Sequence, residues 1–591
     1  MHFGERLSGL SKVVVYGFAL IILLFLSVAA WICAGNDAKS YMSFSDLAGT
    51  LFVMLLATVV IGVVAKGLEK CSRLGNIILF IVIFFSVIAG CFWWITNSDA
   101  LPGSDAKSVF DIAVRAMNHD LRPIAPTGSY MSLCPYQSGL VLYDELILRF
   151  FPGEADYLSV QWCNLLLVAL SLVSGFFIVR RWFESARVCT FWCFLMLLCL
   201  PYYLYVNYMY GDIPSIGMIF FATWMITEYL HRRRLWYVVL AALGMAGAVA
   251  VRKNSLIFVI ACALLLGVIS LSERNGKLLL ITIMLTGFAF FAGSYLPKAF
   301  YEHRANNTMG EGMPAISYIA MGLQDGGGTF AGAWNGYHSD LFIEHNYDAT
   351  LPAQISRQSV KDSLSHMAAN PDYAMDFFGR KLVAQWCDET FNSIFFTQSL
   401  FNNRSENAWK IYEGEWYPIL CRWMDWYQNL IYAGGFLFCL RTGIRWRRSR
   451  QAAKSKEAVG HEQIAKNKQV TESKGSAEHE QTAESKQAAG NKGSAEHEQT
   501  AESKQAVGNK GSAEHEQTVR SEQPVESKKI KEKAAHSWVG LWRLVFLTTL
   551  IGGFLFSIIW EAGSRYVMPY FVMLLPYAAA GLTFHMKKKK L

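Results

Sequence analysis

Apolar residues in this chain come in long unbroken runs separated by short polar stretches. Runs long enough to cross a bilayer as a helix, about 20 residues, cover 12–34, 47–65, 75–96, 157–179, 186–204, 212–230, 235–251, 254–271, 277–296, 418–440, 540–560 and 567–585. The pattern predicts an all-α polytopic membrane protein with about twelve transmembrane helices. Every second connection is basic: Lys66, Lys70 and Arg73; Arg180, Arg181 and Arg187; Arg232, Arg233 and Arg234; Arg274 and Lys277; Arg441 through Arg450; and Lys587 to Lys590. Cytoplasmic loops carry an excess of Lys and Arg. These connections, with Arg6 and Lys12, are therefore predicted to face the cytoplasm, as are both termini. The first run lacks a small-residue cleavage site and reads as a retained anchor.

Composition agrees, with 53% apolar, 14% aromatic and only 17% charged residues, a balance that suits a membrane protein better than a soluble one. The net charge of +8 does not call for nucleic acid, because basic loops and the Lys587 to Lys590 tail, set against anionic headgroups, account for it. Of twelve cysteines, only Cys134 and Cys387 fall in the large outer loops. Pairing and two separate thiols both remain open for them.

The runs divide the chain into a membrane region 1–296 with a first outer loop at 97–156, a large outer region at 298–417, a single span at 418–440, a linker at 442–537, and a final helix pair with its basic tail at 540–591. The linker, predicted to be cytoplasmic, repeats an 18-residue unit from Lys474, Lys492 and Lys510. Its lack of any apolar stripe predicts a solvated, largely disordered segment, with a protein-binding arm as the alternative.

The remaining charges gather on the opposite, outer face. In the first outer loop Val109, Ile112, Ala113 and Ala116 recur at helical spacing from Ser104 to His119, predicting an amphipathic helix along the membrane surface. Asp105 opens it, as a helix cap or as a site residue. Pro135 to Gly139, including Tyr136 and Gln137, predict a tight turn. Asp212 starts one span, Arg252 and Lys253 occupy a short turn, and Glu561, Arg565 and Tyr566 lie in the last outer hairpin. Each has a purely structural reading: Asp212 as an N-cap before Pro214, Arg252 and Lys253 as snorkelling side chains, Glu561 as the one-turn partner of Arg565. Their common sidedness favours a shared outer site, since ionised groups in membrane segments are costly and usually functional. A carboxylate can accept a proton from an attacking hydroxyl, and guanidinium groups neutralise phosphate bidentately.

Five segments carry a resemblance: PGSDAKSVFDIA (Pro102 to Ala113), CPYQSG (Cys134 to Gly139), YGDIP (Tyr210 to Pro214), VRKNSLI (Val251 to Ile257) and EAGSRYVMPY (Glu561 to Tyr570). In order and sidedness the chain resembles the polytopic GT-C glycosyltransferases, which include aminoarabinose transferases and protein O-mannosyltransferases, and most closely the family-39-like enzymes of bacterial envelopes. The resemblance implies a GT-C-like helical bundle with an extracytoplasmic site. It also implies a polyprenyl-phosphate-linked sugar donor, a glycan, lipid or protein acceptor of the cell envelope, and inversion at the anomeric carbon. Asp105 matches the essential acidic residue of the first outer loop. Arg252 and Arg565 are the phosphate-binding candidates; Asp212, Glu561, Tyr566, Tyr136 and Gln137 complete the substrate-binding set. A divalent cation is a candidate cofactor, but Asp105 lacks the adjacent acidic partner found in many relatives, which leaves metal dependence open.

In the second outer region, Met313 to His338 is rich in glycine and aromatics and reads equally as a sugar-facing or a structural loop. Residues 353–370 and 372–388 are predicted as two helices covering the site. His338, Asp340, Glu344 and His345 fit no metal spacing and are expected on a solvated surface. The competing classes are transport or flipping of a lipid-linked sugar and polysaccharide polymerisation or ligation. Transport is disfavoured because no internal repeat is evident and the charges lie at span ends.

Overall fold

The computed structural model describes residues 2–36, 39–42, 47–70, 72–151, 157–325, 330–397, 405–448, 451, 455 and 538–583. The chain divides into two units, 1–440 with 537–591, and 441–536. The 18-residue repeats and the Lys587 to Lys590 tail lie outside the described residues.

The first unit is a polytopic helical membrane protein. Among the described residues seven helices are long and apolar enough to cross a membrane: Arg6–Ile32, Leu74–Ser98, Tyr157–Phe183, Asp212–Arg232, Lys253–Ser272, Gly276–Ala305 and Trp538–Ile559. An eighth is counted if the bent pair Ala186–Leu197 and Leu200–Asn207, which meet at 49°, forms one span. Twelve were expected. Three of the missing four are apolar but short, Leu51–Gly67, Trp236–Val251 and Met568–Leu582. The fourth lies in the helix 417–448, where Asp425, Gln428 and Asn429 interrupt the apolar run. Among the described residues β pairing is confined to a short antiparallel pair, Cys33–Asn36 with Lys39–Met42, and an isolated parallel bridge between Ala333 and Ala562.

Packing follows the apolar faces. The helix Asp212–Arg232 lies between Tyr157–Phe183 and Trp236–Val251, and the latter packs on Gly276–Ser294. The final pair Val545–Ile559 and Met568–Leu582 closes the bundle, the first against Leu256–Ser272 and His2–Ile32, the second against Ala186–Leu197. Leu51, Phe52, Leu55, Val59 and Val63 remain exposed, as do Ile78, Val82 and Phe85, which fits helices whose outer faces meet lipid and not water.

The first outer helix forms as expected, over Ser104–Met117, with Val109, Phe110, Ile112, Ala113 and Ala116 buried. Its apolar face packs on the helix Ser138–Phe150. The amphipathic pattern thus serves to seat the helix on its neighbour. The two helices of the second outer region are Thr350–Ala369 and Pro371–Trp386. Cys134 and Cys387 are both buried and, among the described residues, no disulfide joins them.

Candidate functional site

Two close backbone approaches shape one end of the bundle. A Cβ at Gly139 would meet the Ala250 carbonyl oxygen at 2.2 Å, and one at Gly211 would meet that of Val251 at 2.0 Å. Only glycine fits at either position. The turns that carry Gln137 and Asp212 are thus both pressed onto the turn that carries Arg252.

The broken span supplies the next part. It restarts at Leu200 with Pro201 in its first turn, where proline costs no helical hydrogen bond, and ends in the turn Tyr205–Asn207. Carbonyls released there are taken up from the neighbouring helix. Asn164 donates to the Val206 and Tyr208 oxygens at 3.1 and 3.0 Å, and Gln161 donates to Ala100 and Asn207 at 2.9 and 3.0 Å. Non-helical backbone inside a bundle needs such partners, and they fix Tyr208 and Tyr210 in place.

Arg565 is the centre of the arrangement. It is 8% exposed, donates to the Tyr208 hydroxyl at 2.6 Å, and lies 5.0 Å from the Tyr210 ring centroid, 5.4 Å from Tyr566 and 4.5 Å from Phe396. This aromatic cage offers cation–π stabilisation, and against the desolvation of burial the nearby tyrosines and Asp212 hold the guanidinium protonated. Asp212 and Arg252, both buried, form an ion pair, and Arg252 lies 5.7 Å from the Tyr566 ring centroid. Neither residue follows its structural reading. The Asp212 side chain makes no cap, Arg252 is enclosed instead of snorkelling, and Lys253 donates to the Gly293 carbonyl at 2.7 Å.

Asp105 faces this cage. It sits in the first turn of its helix without capping it; the cap position is Gly103. Solvent reaches its side chain, yet protein surrounds it closely enough that desolvation raises its pKa above the usual carboxylate value, against the opposing pull of Arg565 and the Tyr130 hydroxyl. A partly desolvated carboxylate that solvent still reaches is at once accessible and more basic. Glu561 is pushed up to about 7 by burial and feels Arg565, Asp105 and Lys381. Among the described residues its hydrogen bond is from the Tyr566 hydroxyl, at 3.3 Å. Arg565 therefore reaches Glu561 electrostatically and not through the direct i,i+4 pair expected.

Gln137 donates to the Tyr210 hydroxyl. The Tyr136 hydroxyl meets that of Tyr318 at 3.1 Å, and Tyr318 stacks on Trp560 with centroids 5.1 Å apart. All eight sequence-predicted residues thus belong to one connected cluster. No family model, curated protein or solved structure matches this chain. The functional reading rests on the cluster's own residues.

Several members went unassigned in the sequence. Tyr208 and Tyr210 lie close enough to feel the charges of both Asp105 and Arg565, and Tyr130 that of Asp105. Lys381 is fully buried, donates to the Gly322 carbonyl and is brought down to about 7 by burial, with Glu561 opposing. Its signal was the four-residue spacing Phe377, Lys381, Gln385, three buried positions on one helix face. The glycine-rich stretch also reaches the site: Ala562 donates to the Gly332 carbonyl at 2.7 Å, and Gly332 has φ +72° with the Lys381 side chain 2.9 Å from where a Cβ would stand. His338 is buried against the Tyr318 ring, which corrects its expected place on a solvated surface. Burial brings it down to about 4, so it is neutral at pH 7. Among the described residues no three His, Cys, Asp or Glu side chains are grouped as metal ligands. Positive charge among Asp105, Asp212 and Glu561 comes from Arg565, from Arg252 paired with Asp212, and from Lys381 near Glu561.

Proposed function

We propose that this protein is an integral-membrane glycosyltransferase that moves a sugar from a polyprenyl-phosphate donor to a hydroxyl of a cell-envelope acceptor. The proposal includes twelve spans, basic connections on the cytoplasmic side and the cluster on the outer side. One observation carries it: a solvent-reachable carboxylate of raised pKa, Asp105, faces an enclosed arginine, Arg565, at one end of a membrane bundle. That pairing suits an attack in which a proton is removed on one side of a carbon while phosphate leaves on the other.

In this reading Asp105 accepts the acceptor hydroxyl's proton as the oxygen bonds to the anomeric carbon. The bond from that carbon to the phosphate oxygen breaks, and polyprenyl phosphate departs with the electron pair. Arg565 and Arg252 bind the departing phosphate through guanidinium N–H groups that their present partners leave over. Glu561, Tyr566, Tyr136 and Gln137 hold sugar and acceptor, and Asp212 orients Arg252.

The test is transfer of radiolabelled sugar from a panel of polyprenyl-phosphate donors, comparing the native chain with Asp105→Asn at equal membrane abundance. Loss of transfer supports the reading, and equal transfer removes Asp105 from it. A transport reading draws on the 49° break between Ala186–Leu197 and Leu200–Asn207, since transporters build sites at discontinuous helices. Movement of a lipid-linked sugar across vesicles, without transfer by any donor, would decide for it.

A further inference from the structure

A cavity of about 1170 Å³ opens at the opposite end of the same helices. Its mouth is marked by Arg180, Arg181, Arg232 and Glu228. Glu228 stands sixteen positions along the helix that begins at Asp212, roughly 24 Å away at 1.5 Å per residue. The cavity is therefore separate from the cluster around Arg565. It also exceeds the about 300–1,000 Å³ typical of small-molecule sites.

The mouth is cationic and held in place. Glu228, 5% exposed, takes Arg181 at 2.9 Å and Arg232 at 2.7 Å on its two oxygens. One carboxylate cannot occupy the ten N–H donors of two guanidinium groups, so both keep donors for another acceptor. Arg180 is exposed and has no ion pair among the described residues. Below the mouth the wall turns apolar, with Phe177 stacked on Trp224 at 4.8 Å and Phe221 and Leu240 beside them. On the helix Trp236–Val251, Trp236, Val239 and Leu243 are about half exposed. Their spacing sets them on one face of the helix, leading away from the mouth along a surface that meets lipid.

We infer that this cavity is a binding site for an anionic phospholipid of the bilayer, its phosphate held by Arg180, Arg181 and Arg232 and an acyl chain running along Trp224 and the Trp236–Leu243 face. A phosphate bound to a long apolar tail is the one ligand chemistry that uses both halves. A soluble anion leaves the aromatic wall bare, and a neutral lipid leaves the arginines unused. Basic pockets between transmembrane helices recognise anionic headgroups on these terms.

The experiment is native mass spectrometry of the full chain released from nanodiscs of mixed phosphatidylglycerol and phosphatidylcholine. Phosphatidylglycerol should be retained well above its share of the bilayer. Its retention should fall about fivefold for each arginine removed in Arg180→Gln and in the double variant with Arg232→Gln. Arg180→Gln alone, at an exposed side chain with no ion pair, keeps the test decisive if the double variant does not fold. Equal retention of the two lipids would overturn the inference, as would unchanged retention in Arg180→Gln. So would displacement of phosphatidylglycerol by inorganic phosphate, or by trace polyprenyl phosphate.

Discussion

Two pairs of carboxylates in this protein are treated in opposite ways. Glu145, 2% exposed, accepts from the Tyr301 hydroxyl and from Arg149 and Arg304 at 2.7 Å each. Asp388 accepts from the Thr390 amide and hydroxyl, the Asn392 amide and the Ser564 hydroxyl. Both are saturated with donors, and those of Glu145 hold its pKa below the ordinary glutamate value. Asp105 and Glu561 instead have one hydroxyl apiece nearby, from Tyr130 and Tyr566, and both are raised. A carboxylate surrounded by donors is fixed as an anion and holds helices together. One left short of donors takes up protons readily. The two pairs thus differ both in hydrogen-bond supply and in exposure: Glu145 and Asp388 are buried and fully paired, while Asp105 is exposed and Glu561 only partly buried.

That separation can be broken at either set. Asp105→Asn should lower sugar transfer about 10²–10⁴-fold, the usual contribution of general-base catalysis, with thermal unfolding in detergent unchanged. Unfolding lowered as much as transfer would move Asp105 into the scaffold. Glu145→Gln should do the reverse. It strips charge from a buried ion-pair cluster and should cost about 3–5 kcal/mol of stability, while transfer per folded molecule stays at the native level.

The pH dependence of unfolding sharpens the contrast. The folded-state pKa of Glu561, about 7, lies above the ordinary 4.5. Its contribution therefore favours the folded state below about 4.5, and that advantage is lost as pH rises through 7. Glu561→Gln should remove this slope and gain about 3 kcal/mol at pH 8 relative to the native chain. An identical pH profile in both proteins would show that Glu561 is better supplied with donors than its contacts indicate. The smallest effect is expected at Lys107, whose pair with Asp111 is exposed on both sides. Lys107→Ala should change stability by less than about 1 kcal/mol and leave transfer intact.

Long apolar runs and sided charges made the helical membrane fold legible, along with the meeting of Asp105, Asp212, Arg252, Glu561 and Arg565 at one end. Span number was less legible, because hydropathy does not report where a helix breaks. Leu198 and Cys199 are as apolar as their neighbours, yet the helix stops there and restarts at Leu200. The buried Lys381 was obscured for another reason. Its helix begins with Pro371 and Asp372 and carries Asp376 and Arg380 on the outside, so it reads as a surface helix until its third dimension is known. His338 was misread because its seat depends on Tyr318, twenty positions away. The aromatic cage of Arg565 draws on residues 208, 210, 396 and 566, a pairing that no local pattern encodes.

The division of the chain into 1–440 with 537–591, and 441–536 between them, bears on how such a gene can change. The helices that carry Glu561 and Arg565 belong to the same unit as Asp105, although the chain leaves that unit for nearly a hundred residues before supplying them. Whole copies of the Lys474, Lys492 and Lys510 repeat can therefore be gained or lost by slippage during replication without any residue of the cluster changing its neighbours in sequence. Length in that interval is therefore uncoupled from the local sequence around Asp105, Glu561 and Arg565.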